Sequence, residues 1–322
     1  MNNKTIEWLL QGEPWVQYRT RVELLGQKET DPQVIAIRKA MLADPKIKAL
    51  LAELMDWPGT VLNSHKSASQ SFHKLEFIAD LGLNISDPSV KKIVDKVVKH
   101  QSQQGPFQLS TNIPTHFGGS GNDEWAWALC DAPIIVSSLI QMGMRDDPRV
   151  QTAIEYLNGL VRDYGWPCTV SPELGKFRGP GRKDDPCPYA TLVMLQVLAH
   201  IPELRESKSA KTGAETLLSL WDKSKEQHPY MFFMGTDFRK LKAPLFWYDI
   251  LHVLDVLSHF DWARKDKRFK QMVKVVESKA DNDGRYIPES VWTAWKDWDF
   301  SQKKIPSHGL TFFVQRILIR TN

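Results

Sequence analysis

The sequence predicts an all-α fold built from recurring helical hairpins. Three observations carry that expectation. A segment pattern returns after about 60 residues, mostly apolar helical stretches alternate with amphipathic ones, and no run shows the sustained period-two alternation of a half-buried strand. A sheet is therefore not expected.

The repeat is clearest where Ile78–Val90 (IADLGLNISDPSV) is set beside Leu139–Val150 (LIQMGMRDDPRV). Gly82 meets Gly143 at an offset of 61, Asp87-Pro88 meets Asp147-Pro148 at 60, and Gly105 meets Gly165 at 60. Each copy reads as a helix closed by Gly, a short turn, and a second helix opened by Asp as cap and Pro at its first position. In the second helix Val90, Ile93, Val94, Val97 and Val98 form one face against Lys91, Lys92, Asp95, Lys96 and Lys99. The first helix, as in Pro133–Met142, is apolar on most sides.

Taken in order, the first hairpin spans about 15–59, with a Gly stop at Gly26, Asp31-Pro32 before its second helix, and Trp57-Pro58-Gly59 as closing turn. The next units span about 64–107 and 130–166. A fourth, about 187–230, starts at Pro188–Leu198 and continues through a helix around Ala210–Trp221. A fifth, about 247–286, runs from Asp249–Leu257 through a helix near Phe269–Glu277 to the turn Asp283-Gly-Arg-Tyr286. An apolar helix at about 308–320 ends the series, which makes roughly five to six hairpins in a single domain. Two Gly/Pro-rich segments, 108–122 and 169–185, read as loops too long for passive connectors, and both project from the same end of their hairpins.

Composition narrows the function classes. The chain has 322 residues, enough for a large core, and 42 basic against 38 acidic residues give a net charge of only +4. No run of five basic residues occurs, so nucleic acid is not an expected partner. The first residues lack the apolar stretch of a secretory signal, no segment reaches ~20 uncharged apolar residues, and three cysteines make no disulfide framework; a cytoplasmic location is expected. Twelve Trp and 14 Phe are the unusual counts, and they imply a heavily packed aromatic core or an aromatic-lined cavity.

Alternating buried and half-buried helices with Gly-aromatic turns between them (Gln101-Ser-Gln-Gln-Gly105-Pro-Phe107, Tyr164-Gly165-Trp166, Asp283-Gly284-Arg-Tyr286) resemble the α/α toroid of terpenoid cyclases and protein prenyltransferases. The resemblance implies inner helices ringing a central cavity that takes an isoprenoid or other elongated apolar ligand. The squalene-type acid motif is incomplete here, with Asp184-Asp185 and Asp297-Trp298-Asp299 its nearest counterparts. Prenyltransferase zinc ligation, an Asp-x-Cys and a later His, maps onto Asp185-Pro186-Cys187 with His308; His252 lies in the intervening hairpin. Zinc held by Asp185, Cys187 and His308 is thus the implied cofactor, and Asp184, Asp185 and His308 are the catalytic candidates.

Trp125, Trp127, Trp247, Tyr248 and Trp295, with Trp292 and Trp298, fall near inner-helix starts and are candidate cavity walls. Arg178 and Arg182, with Lys183, are candidates to grip an anionic headgroup. Cys168 and Cys187 bracket the second long loop, Cys130 reads as packing, and His65 occupies a helix-start position like that of His308. Two other readings stand beside the isoprenoid one. Toroids also host carbohydrate-active enzymes, for which Glu124, Asp131, Glu289 and Asp297 are the acid/base candidates, and a toroid can serve as a non-catalytic binding module.

Overall fold

Glycine and Asp-Pro punctuation fixes the helices where the repeat places them. The structure is a computed structural model that describes residues 3–177, 186–223, 225–226, 228 and 232–321. In chain order it contains α1 (Asn3–Leu9), α2 (Pro14–Arg19) running into a π turn at Thr20–Leu24, α3 (Pro32–Ala43) and α4 (Pro45–Leu54). Then come α5 (Ser71–Asp80), α6 (Pro88–Val97), strands β1 (Leu109–Asn112) and β2 (Asp123–Ala126), α7 (Ala132–Leu139) and α8 (Pro148–Gly159). The chain continues with α9 (Pro188–Ala199), α10 (Lys208–Lys223), α11 (Ile250–Leu257), α12 (Asp261–Lys265), α13 (Lys267–Glu277) and α14 (His308–Thr321). The fold is mostly helical.

Gly82 and Gly143 close the two matching first helices at φ of 84° and 95°, a region that side chains with a Cβ avoid. Pro88 and Pro148 open the second helices, and the Asp147 carboxylate accepts the Arg149 N–H at 2.9 Å as a cap. Asp87 instead accepts the N–H of Asn84, at 3.1 Å, and so braces the turn rather than the helix. Where the sequence predicts one outer helix in the first hairpin there are two, because Pro45 forces Asp44 into extended backbone at ψ 131°. Asp44 then caps α4 through the Lys46 N–H at 2.7 Å.

The chain divides into a central unit, residues 51–234, and a terminal unit, residues 1–50 with 235–322. In the central unit α7 packs on both α5 and α9, and α9 packs on α10. Every residue of α7 is buried, as are eleven of the twelve in α9. By contrast α6, α8 and α10 bury one face each. The same division of labour holds in the terminal unit, where the nearly enclosed α11 packs on the amphipathic α13 and on α14. There α14 also meets α1, α2 and the π turn.

The expectation of no sheet needs correction. Segment 108–122 is not a structureless loop: β1 and β2 pair antiparallel with Leu109 opposite Ala126 and Asn112 opposite Asp123. Leu62 adds a parallel bridge at Thr111, donating to Ser110 O at 2.8 Å and accepting from Asn112 N at 3.0 Å. Strands of four residues, separated by a Gly-rich decapeptide, are too short to register as a period-two pattern.

Candidate functional site

Polar side chains of α5 and α9, of the segment before α5 and of the start of α7 come together inside the central unit. The turn before α7 places Asp131 at its N-cap position, where the backbone N–H of Ala128 donates to Oδ1 at 3.1 Å. The other oxygen, Oδ2, accepts from His65 Nε2 at 2.6 Å. Asp131 is 2% exposed and His65 is 15% exposed, so the carboxylate sits behind the imidazole. The backbone of His65 is held as well: its carbonyl accepts from His73 Nε2 at 3.0 Å. His73 Nδ1 lies 3.5 Å from Glu76 Oε2 one turn along α5, and Glu76 Oε1 accepts from Gln196 of α9 at 2.9 Å. A polar ladder thus runs from the start of α7 through α5 to α9.

His65 also forms part of a wall. A pocket of about 690 Å³ lies beside the β1–β2 hairpin, within the size range of small-molecule sites. Val61, Leu62, Ile113, Pro114, Phe117 and Phe177 give it an apolar surface, while His65, Asn63, Thr111, Asn112 and Asp123 supply polar groups. Phe117, 63% exposed, is the most solvent-facing large apolar residue of that wall. The hairpin is anchored beneath by Ile113, Ala126 and Leu174, which pack with Val170 and Phe177.

The three cysteines converge on the same helix starts, and the backbone explains why. Segment 166–170 bridges Pro167 to Pro186 and Val170 to Ala128, so Cys168 runs between Cys187 and Cys130. None of the three is in a disulfide. The buried Cys130 thiol donates to Cys187, which raises the Cys130 pKa well above that of an ordinary thiol, with burial acting in the same sense. The same hydrogen bond lowers the Cys187 pKa against the opposing effect of burial. The Ala190 N–H at the start of α9 assists, donating to Cys187 Sγ at 3.5 Å. Tyr189, fully buried beside them, has its phenol pushed up by burial and by the Glu76 carboxylate.

Of the zinc ligands that the resemblance implies, only Cys187 and His308 fall among the described residues. Asp184 and Asp185, with Arg178, Arg182 and Lys183, lie outside the described residues. Cys187 and His308 belong to different units, and the partner at the Cys187 sulfur is a thiol rather than an imidazole. Among the described residues no group of three His, Cys, Asp or Glu side chains is placed to hold a metal ion. His308 stacks on Trp8 at 3.8 Å between ring centroids, and its Nδ1 lies 3.9 Å from Asp299. Burial lowers its pKa, with Asp299 opposing. His252 is buried, and its Nδ1 donates to Trp247 O at 2.9 Å.

The aromatic candidates are distributed between packing and surface. Trp127 is buried edge-on to Tyr156 at 5.6 Å, whereas Trp125 lies on the surface, stacked on His100 at 3.5 Å. In the terminal unit Tyr248 packs on Phe238, and Trp295 is buried among Phe246, Trp298 and Phe300. Trp292 packs on Phe246 and donates to Pro244 O at 3.0 Å. None of them is among the residues that line the 690 Å³ pocket. Of the carboxylates, Asp131 pairs with His65, Glu124 accepts from Ser120 at 3.3 Å, Glu289 accepts the Leu241 N–H at 2.8 Å, and Asp297 is exposed.

Sequence reasoning missed His73, Glu76, Gln196 and the hairpin walls. One signal was present: His73 and Glu76 interrupt the run Phe72, Leu75, Phe77, Ile78 three positions apart, which puts two titratable groups on one buried helix face.

No family model matches the chain, and no curated protein matches it. Among solved structures, a protein from Actinoplanes aligns over 99% of this chain and 97% of its own at 11% identity. Its TM-score of 0.43 is too low to carry an argument about fold or function. No helix among the described residues is long and apolar enough to cross a membrane.

Proposed function

We propose that the chain is a prenyltransferase-like α/α toroid that binds an isoprenoid or other elongated apolar molecule, with the pocket of the central unit as its seat. The single observation that carries this reading is the apolar wall of that 690 Å³ pocket. A volume of this size, walled by two Phe, aliphatic residues and Pro, favours a hydrocarbon body, and its few polar groups suffice to orient one end. The alternation of enclosed α5, α7 and α9 with one-sided α6, α8 and α10 supports the toroid part of the reading.

The test is a fluorescence titration with 8-anilinonaphthalene-1-sulfonate, followed by competition. Saturable binding displaced by farnesol and unaffected by cellohexaose is the expected result. Val61→Trp, which fills the pocket from a half-buried wall position, is expected to weaken the dye by about tenfold or more, since burial of a few methylene equivalents is worth ~1–3 kcal/mol. Displacement by cellohexaose and not by farnesol would transfer the site to the carbohydrate reading. Dye binding unchanged in Val61→Trp would remove the pocket from either.

A further inference from the structure

We infer that His65 is a general base acting in the central-unit pocket, positioned by Asp131, and that the reaction it serves is hydrolysis of an apolar carboxylic ester. The inference rests on the pocket being the seat of an apolar molecule, and it adds a reaction to that reading.

The tautomer follows from the hydrogen bonds. Asp131 accepts at both oxygens, from Ala128 N at 3.1 Å and from His65 Nε2 at 2.6 Å, so the ring proton resides on Nε2. In the neutral ring the lone pair is then on Nδ1. Among the described residues Nδ1 makes no hydrogen bond, and the ring belongs to the pocket wall. An imidazole with one nitrogen tied to a buried carboxylate, in a residue that lines a ligand cavity, has the partners of a proton acceptor.

A purely structural tie between the 61–65 segment and α7 would account for the 2.6 Å bond but not for the rest. The backbone of His65 is separately fixed by His73, so the ring is constrained from two sides as pre-organised acid/base groups are. Among the described residues Asp131 holds the His65 ring, His73 holds its carbonyl, and Asp123 shares the pocket wall with it.

Among reactions that need one base, water addition to a carbonyl fits the site. Glycoside cleavage calls for two carboxylates flanking the bond, and Asp131 is engaged on His65. A thiol nucleophile is less suited, because Cys130 and Cys187 are hydrogen-bonded to each other. In the ester reaction Nδ1 takes a proton from water as the water oxygen bonds to the carbonyl carbon. The C–O bond to the alcohol then breaks, and the imidazolium returns its proton to the leaving oxygen. One water is consumed, and one acid and one alcohol are formed.

The test uses the full chain and p-nitrophenyl esters of acetate, butyrate and octanoate. Hydrolysis should rise with acyl length and follow one basic limb with pH. His65→Gln should lose about 100-fold or more in kcat/KM, the usual contribution of a general base. Asp131→Asn should lose at least about tenfold, in kcat rather than KM, and Asp131→Glu should restore part of it; a merely structural tie would leave kcat unchanged. Rescue of His65→Gly by added imidazole supports the assignment. Should the variants fail to fold, the wild-type chain-length and pH dependence remain as the reading. Rates no greater than those of free imidazole at equal concentration, or His65→Gln as active as wild type, would overturn the inference. The dye titration is run on the same samples: retained dye binding with no hydrolysis removes the base role alone, whereas loss of dye binding in the wild type removes the binding reading itself.

Discussion

The two units use the same ingredients, polar groups at helix starts and clustered aromatic side chains, to opposite ends. In the terminal unit the aromatic rings fill one another's space. Trp15 packs against Trp298, Phe300, Phe312 and Phe313 at centroid distances between 5.9 and 6.4 Å, and Trp298 stacks on Phe300 at 5.6 Å. Its helix starts are equally occupied: Asp249 Oδ1 accepts both the Leu251 and His252 N–H groups, and His308 lies flat on Trp8. In the central unit Phe117 and Phe177 stand at the edge of open volume, and the helix-start carboxylate Asp131 is directed at an imidazole on its wall. Aromatic content near helix starts thus does not mark a cavity. What separates the two cases is whether the rings face one another or face a space that backbone geometry keeps open, as the β1–β2 hairpin does here.

The comparison breaks most readily at Trp15. If the terminal unit's aromatic rings form its core, Trp15→Ala opens a cavity that the surrounding rings cannot close. The expected cost is about 4 kcal/mol, read as a lower midpoint in urea at unchanged slope. A loss below ~1 kcal/mol would mean that the rings shift into the gap, and the terminal unit would then be the more plastic of the two.

Asp255 sharpens the electrostatic side of the same contrast. It accepts from Arg316 at 3.0 and 3.1 Å and from Arg320 at 2.9 Å, clamping α11 to α14. Burial alone would raise its pKa, but the two guanidinium groups hold the carboxyl far below the usual range. Its folded pKa is depressed, so its stabilisation is fully present above the unfolded value of ~3.9 and is lost as pH falls below it. Asp255→Asn leaves Arg316, whose side chain is 4% exposed, without its counter-charge. A loss of about 3 kcal/mol at pH 7 is expected, with a flatter acid limb in urea midpoints between pH 5 and 2 than in the wild type.

The helical repeat was legible because its signals are local. Gly82, Gly143, Asp87-Pro88 and Asp147-Pro148 specify backbone conformations within a turn, and all fall at helix ends in the structure. The site was not legible, because it is assembled across helices. His65 and Asp131 are 66 positions apart, and their contact depends on α5 lying beside α7. Cys130 gave no sign of its link to Cys187, which arises from the bridging of segment 166–170 on both sides. His65 and Asp131 were each visible as candidates, but under separate chemistries; the side chains joined what residue type alone kept apart. The strands failed for a different reason: four residues carry too little periodicity, and their pairing is held by Leu62, a residue from the preceding connection.

The smallest expected effect tests whether His308 and His65, both at helix-start positions by sequence, are different kinds of histidine. Burial against Trp8 lowers the His308 pKa more than Asp299 and its 3.9 Å approach can raise it. The folded chain therefore binds this proton less readily than the unfolded chain. For a base with a depressed folded pKa, stability is fully present above the unfolded value of ~6.5 and declines as pH drops below it, until the depressed folded value is passed. Urea midpoints of the wild type should fall between pH 7 and 5, and His308→Gln should remove part of that slope while leaving ester hydrolysis at pH 8 unchanged. The opposite pattern, an unaltered slope with a loss of hydrolysis, would assign His308 a chemical role, and the distinction between a filled terminal unit and an open central one would then fail at its most direct point of comparison.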